Sequence, residues 1–234
     1  MKKIYILLWL IGSLQACTNS SEKRMADAKN FLKAEEYEQA LALVNKVIAQ
    51  DAQNEQAFNL RGVIYFEQRD FQNALADYNR ALQLNPDNYK PHYNRAEVHR
   101  YLGEQEQALA AYDEAIQRAP DIADLYINRG VVYYEVGRKE AALQDFTKAI
   151  DIDPNQAGVL FNRGNIYFEK QQYEQALSDF EKAVQLNPKL GKAHYGLGNC
   201  ALQLGQKTKA CEALTAAQRL GIVQAEPLLQ ENCQ

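Results

Sequence analysis

Asparagine, arginine with aspartate, and cysteine recur in this chain at spacings that chemistry could use. Asn94, Asn128 and Asn162 stand 34 residues apart. A carboxamide both donates and accepts, so a row of them can hold an extended peptide backbone without reading its sequence. Arg61, Arg95, Arg129 and Arg163 keep the same spacing. Asp77, Asp145 and Asp179 recur with them, and Ala111 takes the remaining place. Arginine and aspartate at such offsets are expected to pair between packed helices, within a repeat or between repeats, and to specify geometry more than add stability. The three histidines, His92, His99 and His194, fall in slots that rings fill elsewhere and show no metal-ligand spacing. No phosphate loop, nucleophile elbow or paired catalytic carboxylates stand out. The chain therefore reads as a non-enzyme with no metal, no cofactor and no small-molecule substrate.

The cysteines divide between the two ends. Cys17 stands alone near the start, and Cys200, Cys211 and Cys233 lie close to the C-terminus. Lys2 and Lys3, the apolar run from Ile4 to Ile11 and the small residues up to Ala16 form a secretory signal peptide over residues 1–16. The run is shorter than the roughly 20 residues a membrane span needs. Leu14-Gln15-Ala16-Cys17 resembles the bacterial lipobox, which implies cleavage before Cys17 and acylation there. Two or three acyl chains anchor stably where one is marginal. Residues 17–24 are then the lipidated start and a short tether. Thr18 is not the Asp that keeps enterobacterial lipoproteins at the inner membrane, so the resemblance favours the outer membrane, with the body facing the periplasm.

The elements that position these residues follow from composition and period. The 234 residues are 47% apolar with only six prolines, enough for a real core, and Ala, Leu, Glu and Gln favour helix. The net charge of −4 becomes −6 once Lys2 and Lys3 are removed, which excludes a nucleic-acid footprint and a general attraction to anionic lipid. A 34-residue skeleton returns in blocks 21–54, 55–88, 89–122, 123–156, 157–190 and 191–224. Block 157–190, for instance, carries Gly164, Tyr167, Tyr173, Ala176, Phe180, Ala183 and Pro188. In each block, apolar positions four, eight and eleven form one helical face, and seventeen, twenty, twenty-four and twenty-seven form a second. Prolines 86, 120, 154 and 188 end the second helices.

This pattern resembles the tetratricopeptide repeat, a pair of antiparallel helices in 34 residues. The resemblance implies an all-α, right-handed superhelical solenoid of about six helix-turn-helix repeats over residues 25–224. Residues 225–234 form a short C-terminal capping helix with Pro227 near its start. The recurring glycines 62, 130 and 164 are expected to allow close approach near Ala74, Ala142 and Ala176 of the paired helix.

Positions two, six, nine and thirteen of each first helix then line the concave face. Position six holds Asn94, Asn128 and Asn162, similar to the asparagine ladder of O-GlcNAc transferase, which implies peptide binding. Tyr93, Tyr101 and Tyr195 are the aromatic candidates beside it. Phe66, Tyr134 and Phe168 are assigned to packing between first helices. The cysteine spacing resembles the closing segment of many bacterial tetratricopeptide lipoproteins and implies a Cys211–Cys233 disulfide, with Cys200–Cys211 the alternative. By the same resemblance the chain is a lipid-anchored scaffold that binds envelope or periplasmic proteins during assembly of an envelope complex. A periplasmic regulator or inhibitor of a cell-wall hydrolase or protease is the alternative.

Overall fold

The computed structural model describes residues 20–233. Residues 1–19, and with them the expected signal peptide and Cys17, lie outside the described residues. The chain forms two compact units, the first ending at Ala119 and the second beginning at Pro120. The first holds α1 (20–33), α2 (Tyr37–Gln50), α3 (Glu55–Glu67), α4 (Phe71–Leu84), α5 (Tyr89–Tyr101) and α6 (Gln105–Arg118). The second holds α7 (Ala123–Glu135), α8 (Lys139–Ile152), α9 (Ala157–Glu169), α10 (Tyr173–Leu186), α11 (Gly191–Gln203), α12 (Lys207–Arg219) and α13 (Ala225–Asn232). No strand occurs among the described residues. The whole is an all-α repeat solenoid built of helical hairpins, with α13 added at the C-terminal end.

Chain chemistry explains why each hairpin turns where it does. The residue that ends every first helix's turn is left-handed: Glu35, Arg69 and Gln171 have φ near +60°, and Gly103, Gly137 and Gly205 lie between +69° and +79°. The next amide then reaches back to the helix: Asp70 N to Tyr65 O at 2.8 Å, Arg138 N to Tyr133 O at 2.8 Å, Gln206 N to Ala201 O at 2.8 Å. This is the Schellman closure, which satisfies carbonyls that the helix end would otherwise leave open. Asn54, Asp70 and Asn88 cap the helices that follow them by accepting a backbone N–H.

Inside each hairpin the largest fully buried side chain comes from the second helix. Tyr78, Tyr112, Phe146, Phe180 and Leu214 are all at most 1% exposed. Their partners correct the expectation for the recurring glycines. A Cβ on Gly62 would lie 2.5 Å from the Tyr78 ring, and one on Gly130 or Gly164 would lie 2.9 Å from Phe146 or Phe180. The glycines therefore clear space for the ring at position twenty-four, and not for the alanine at position twenty. The reason is volume: the alanine already fits, whereas a ring needs a side chain removed opposite it.

Among the described residues no helix is long and apolar enough to cross a membrane.

Candidate functional site

The arginine–aspartate pairs each tie a first helix to the second helix of its own hairpin. Each pair lies within one hairpin. Arg61 donates from Nε to Asp77 Oδ2 at 2.7 Å and from Nη2 to Oδ1 at 2.8 Å. Arg129 with Asp145, and Arg163 with Asp179, repeat this two-pronged geometry at 2.6–2.8 Å. The third nitrogen reaches the preceding hairpin: Arg61 Nη1 meets Asn45 Oδ1 at 2.8 Å, and Arg163 Nη1 meets Thr147 Oγ1 at 3.2 Å. The Asp77 and Asp179 bonds raise the arginine pKa values further above their ordinary range. With the carboxylates nearly buried, these groups serve architecture.

The repeat over 89–122, which has Ala111 in the aspartate slot, solves the problem differently. Arg95 Nη1 lies 3.9 Å from Glu114 Oε2. The same carboxylate sits 2.7 Å from His92 Nδ1, while His92 Nε2 faces the Pro86 carbonyl at 3.3 Å. Burial lowers the His92 pKa, and the Glu114 and Pro86 acceptors only partly offset it. Tyr126 and His194 reach the Pro120 and Pro188 carbonyls in the same way, at 3.1 Å each. A ring with a polar tip at position four thus ties down the proline turn before its helix, which accounts for His92 and His194 structurally. His99 pairs through Nδ1 with Glu104 at 2.7 Å, across the turn into α6. Among the described residues no group of three or more His, Cys, Asp or Glu could hold a metal ion.

The sequence-predicted groove residues fall in different surroundings. In the first unit Asn94 donates from Nδ2 to Asn59 Oδ1 at 2.9 Å. The Tyr93 ring lies against Tyr112. Tyr101 is half exposed but belongs to a ring cluster, 4.9 Å from Phe71 and 6.2 Å from Phe66, with the Arg69 guanidinium over its face. In the second unit Asn128 donates to its own helix, at Asp124 O. Asn162 is half-buried on α9. Of these candidates Tyr195 alone lines a recess in the second unit, and Phe168, assigned from the sequence to packing, lines it as well.

That recess has a volume of about 370 Å³. Phe161, Asn165 and Phe168 come from α9, and Lys192, Tyr195, Gly196 and Asn199 from α11. Phe180 of α10 forms the floor, and Ile222 and Gln224 close one side. This last wall is held from the C-terminal end. Ile222 N bonds Ala217 O, Ala225 is fully buried, and Cys211 is joined to Cys233 by a disulfide with S–S 2.03 Å. Cys200 is free and buried, and burial pushes its thiol up to about 12. Asn165, Asn199, Gln224 and Lys192 line the opening without a hydrogen bond or ion pair to another described residue. Four aromatic rings with unengaged carboxamides and an ammonium group at the mouth make a surface suited to an incoming chain.

The first unit has a recess of its own, about 380 Å³, where Lys29, Gln56, Asn59 and Lys90 surround a floor of Met25, Leu60 and Val63.

Sequence reasoning passed over Asn165 and Asn199, although position nine falls on the expected concave face. Their 34-residue spacing was the available signal. Gly196 carried another: it stands where Asn94, Asn128 and Asn162 stand in other repeats, and it opens the recess.

Hairpins of 34 residues, stacked as a repeat solenoid with a recess on their first helices, define a class of helical-repeat protein. Family models described as tetratricopeptide repeat match residues 55–88 and 157–190, 93–157, and 191–220. The chain belongs to the tetratricopeptide-repeat family. No curated protein matches it. Among solved structures it is similar to that of Pseudomonas aeruginosa pilF, at 17% identity and TM-score 0.79. That match covers 92% of this chain and 99% of the other. It is also similar to YrrB, described as a TPR protein with an unusual peptide-binding site, at 20% identity and TM-score 0.69, covering 80% and 97%. The crystal structure of MamA matches at 22% identity and TM-score 0.62, over 70% and 96%. At these identities the likeness is one of fold.

Proposed function

We propose that this protein is a non-catalytic interaction scaffold that captures a peptide segment of another protein in its helical grooves. The observation that carries this reading is the second unit's recess, where four rings, three unengaged carboxamides and Lys192 converge. Solenoid proteins commonly use such first-helix surfaces for binding. The peptide-binding site described for YrrB supports the same reading. Asn94, Asn128 and Asn162 remain proposed contacts along the groove, with Tyr93 and Tyr101.

The lipobox-like Leu14-Gln15-Ala16-Cys17 supports an acylated Cys17 and membrane anchoring, with the body in the periplasm and the outer membrane favoured. The partner is then an envelope protein, and the role is assembly of an envelope complex. Mass spectrometry of the mature N-terminus tests the anchor, and a Cys17→Ser variant should leave the membrane fraction. For the groove, a photo-crosslinking amino acid placed at Asn199 should trap a partner that one at exposed Lys182 does not. Identical products from both positions would refute groove binding.

A further inference from the structure

We propose that the recess of the second unit selects a peptide that sets a bulky apolar side chain beside a carboxylate. This selectivity rests on the peptide-binding reading above. Its first element is size. The recess, of about 370 Å³, has room for a bulky apolar side chain over its aromatic floor.

The second element is the gap at Gly196. A Cβ there would stand 2.7–2.9 Å from the tip of the Phe180 ring. The ring already occupies the space freed by Gly164, where a Cβ would meet it at 2.9 Å. Phe180 is thus a fixed floor, 1% exposed, held between two positions without side chains. Phe161 packs at 5.9 Å from it, so the walls of the slot are aromatic. Asparagine in place of Gly196, as in the three preceding repeats, would fill the slot or displace the floor.

Charge is the third element. Lys192, Gly196 and Asn199 share one face of α11 by their spacing. Lys192 is the one charged residue lining the recess, is exposed, and has no carboxylate partner among the described residues. The chain as a whole carries −4, so its overall field does not draw acids in. The preference for a carboxylate is a local one, set at the mouth of the slot, while Asn165, Asn199 and Gln224 take the peptide's backbone groups.

The test uses fluorescein-labelled Gly-Ser peptides centred on Glu-Trp-Glu, Gln-Trp-Gln, Lys-Trp-Lys or Glu-Ala-Glu, titrated by anisotropy against the purified chain. Glu-Trp-Glu is expected to bind best. Gln-Trp-Gln should bind about three-fold weaker and Lys-Trp-Lys about ten-fold weaker, and Glu-Ala-Glu should not saturate. Lys192→Glu, at an exposed site, should reverse the order of the acidic and basic peptides. Gly196→Asn, with folding checked by circular dichroism, should abolish binding of all of them. An order unchanged by Lys192→Glu overturns the proposal. Equal binding of the three Trp peptides overturns the carboxylate preference but keeps the groove, whereas no binding by any of them overturns both. Sedimentation that reveals a dimer broken by Gly196→Asn would assign the slot to a second copy, and would also overturn the proposal.

Discussion

Replacing Arg163 by Met should cost far more stability than replacing Arg95 by Met, although the two residues occupy the same slot in their hairpins. Arg163→Met removes both prongs to Asp179, at 2.8 and 2.7 Å, and leaves a carboxylate whose side chain is 7% exposed. Stripping the partner from a fully buried pair costs about 3–5 kcal/mol. Some water reaches the pair through the 17% exposed guanidinium edge, so about 3 kcal/mol is the appropriate figure here. Arg95→Met leaves behind only Glu114, 45% exposed, 3.9 Å away and still bonded to His92, a loss of under about 1 kcal/mol. Urea unfolding followed by circular dichroism reads the difference. With a slope of about 3 kcal/mol/M, the Arg163→Met midpoint falls by about 1 M and the Arg95→Met midpoint by less than about 0.3 M. The double variant Arg163→Met/Asp179→Leu should regain most of the loss, because an apolar pair replaces a stranded charge. Equal losses for the two single variants would refute this account of the arginines.

Gly137→Ala should lower stability by about 1 kcal/mol through backbone strain alone, since its φ is +79° and nothing lies within 4 Å of the added Cβ; thermal melts check this. Burial lowers the His92 pKa, so the unfolded chain takes up this proton first. The corresponding stability is present in full above about pH 6.5 and is lost as pH falls through the lower folded value. Melting temperatures from pH 7.5 to 5 should fall more in the wild type than in His92→Phe. Reducing the Cys211–Cys233 bond with a dithiol, or changing both residues to Ser, should loosen α13 by about 3 kcal/mol, seen as faster amide exchange at residues 225–232.

The repeat fold was legible because its determinants are periodic. First helices begin at residues 55, 89, 123, 157 and 191, and buried rings and prolines keep that step. The arginine–aspartate offset was also visible, but whether it closes within a hairpin or between hairpins depends on how neighbours stack. The glycine partners were misplaced because the sequence marks where a side chain is missing, and not which ring fills the space. Asn94 and Asn128 looked like free groove amides, yet Asn59 and the Asp124 carbonyl engage them. The recess itself escaped notice for another reason. One wall, Ile222 and Gln224, comes from the turn between α12 and α13, where the last repeat closes without the proline that ends the others.

The unbroken 34-residue phase of the hairpins has a consequence for which changes this chain can accept. A single residue inserted within α9 would turn everything after it on that helix by about 100°. Asn165 and Phe168 would swing off the groove wall, and the buried stripe of Ile166 would face water. Replacing residues is tolerated far better, provided ring, glycine and charge pair change together. Length inside a helix is therefore constrained more strictly than letters. A chain with 17% identity can follow this fold over 92% of its extent, and growth by anything other than whole hairpins belongs in the turns or beyond the ends.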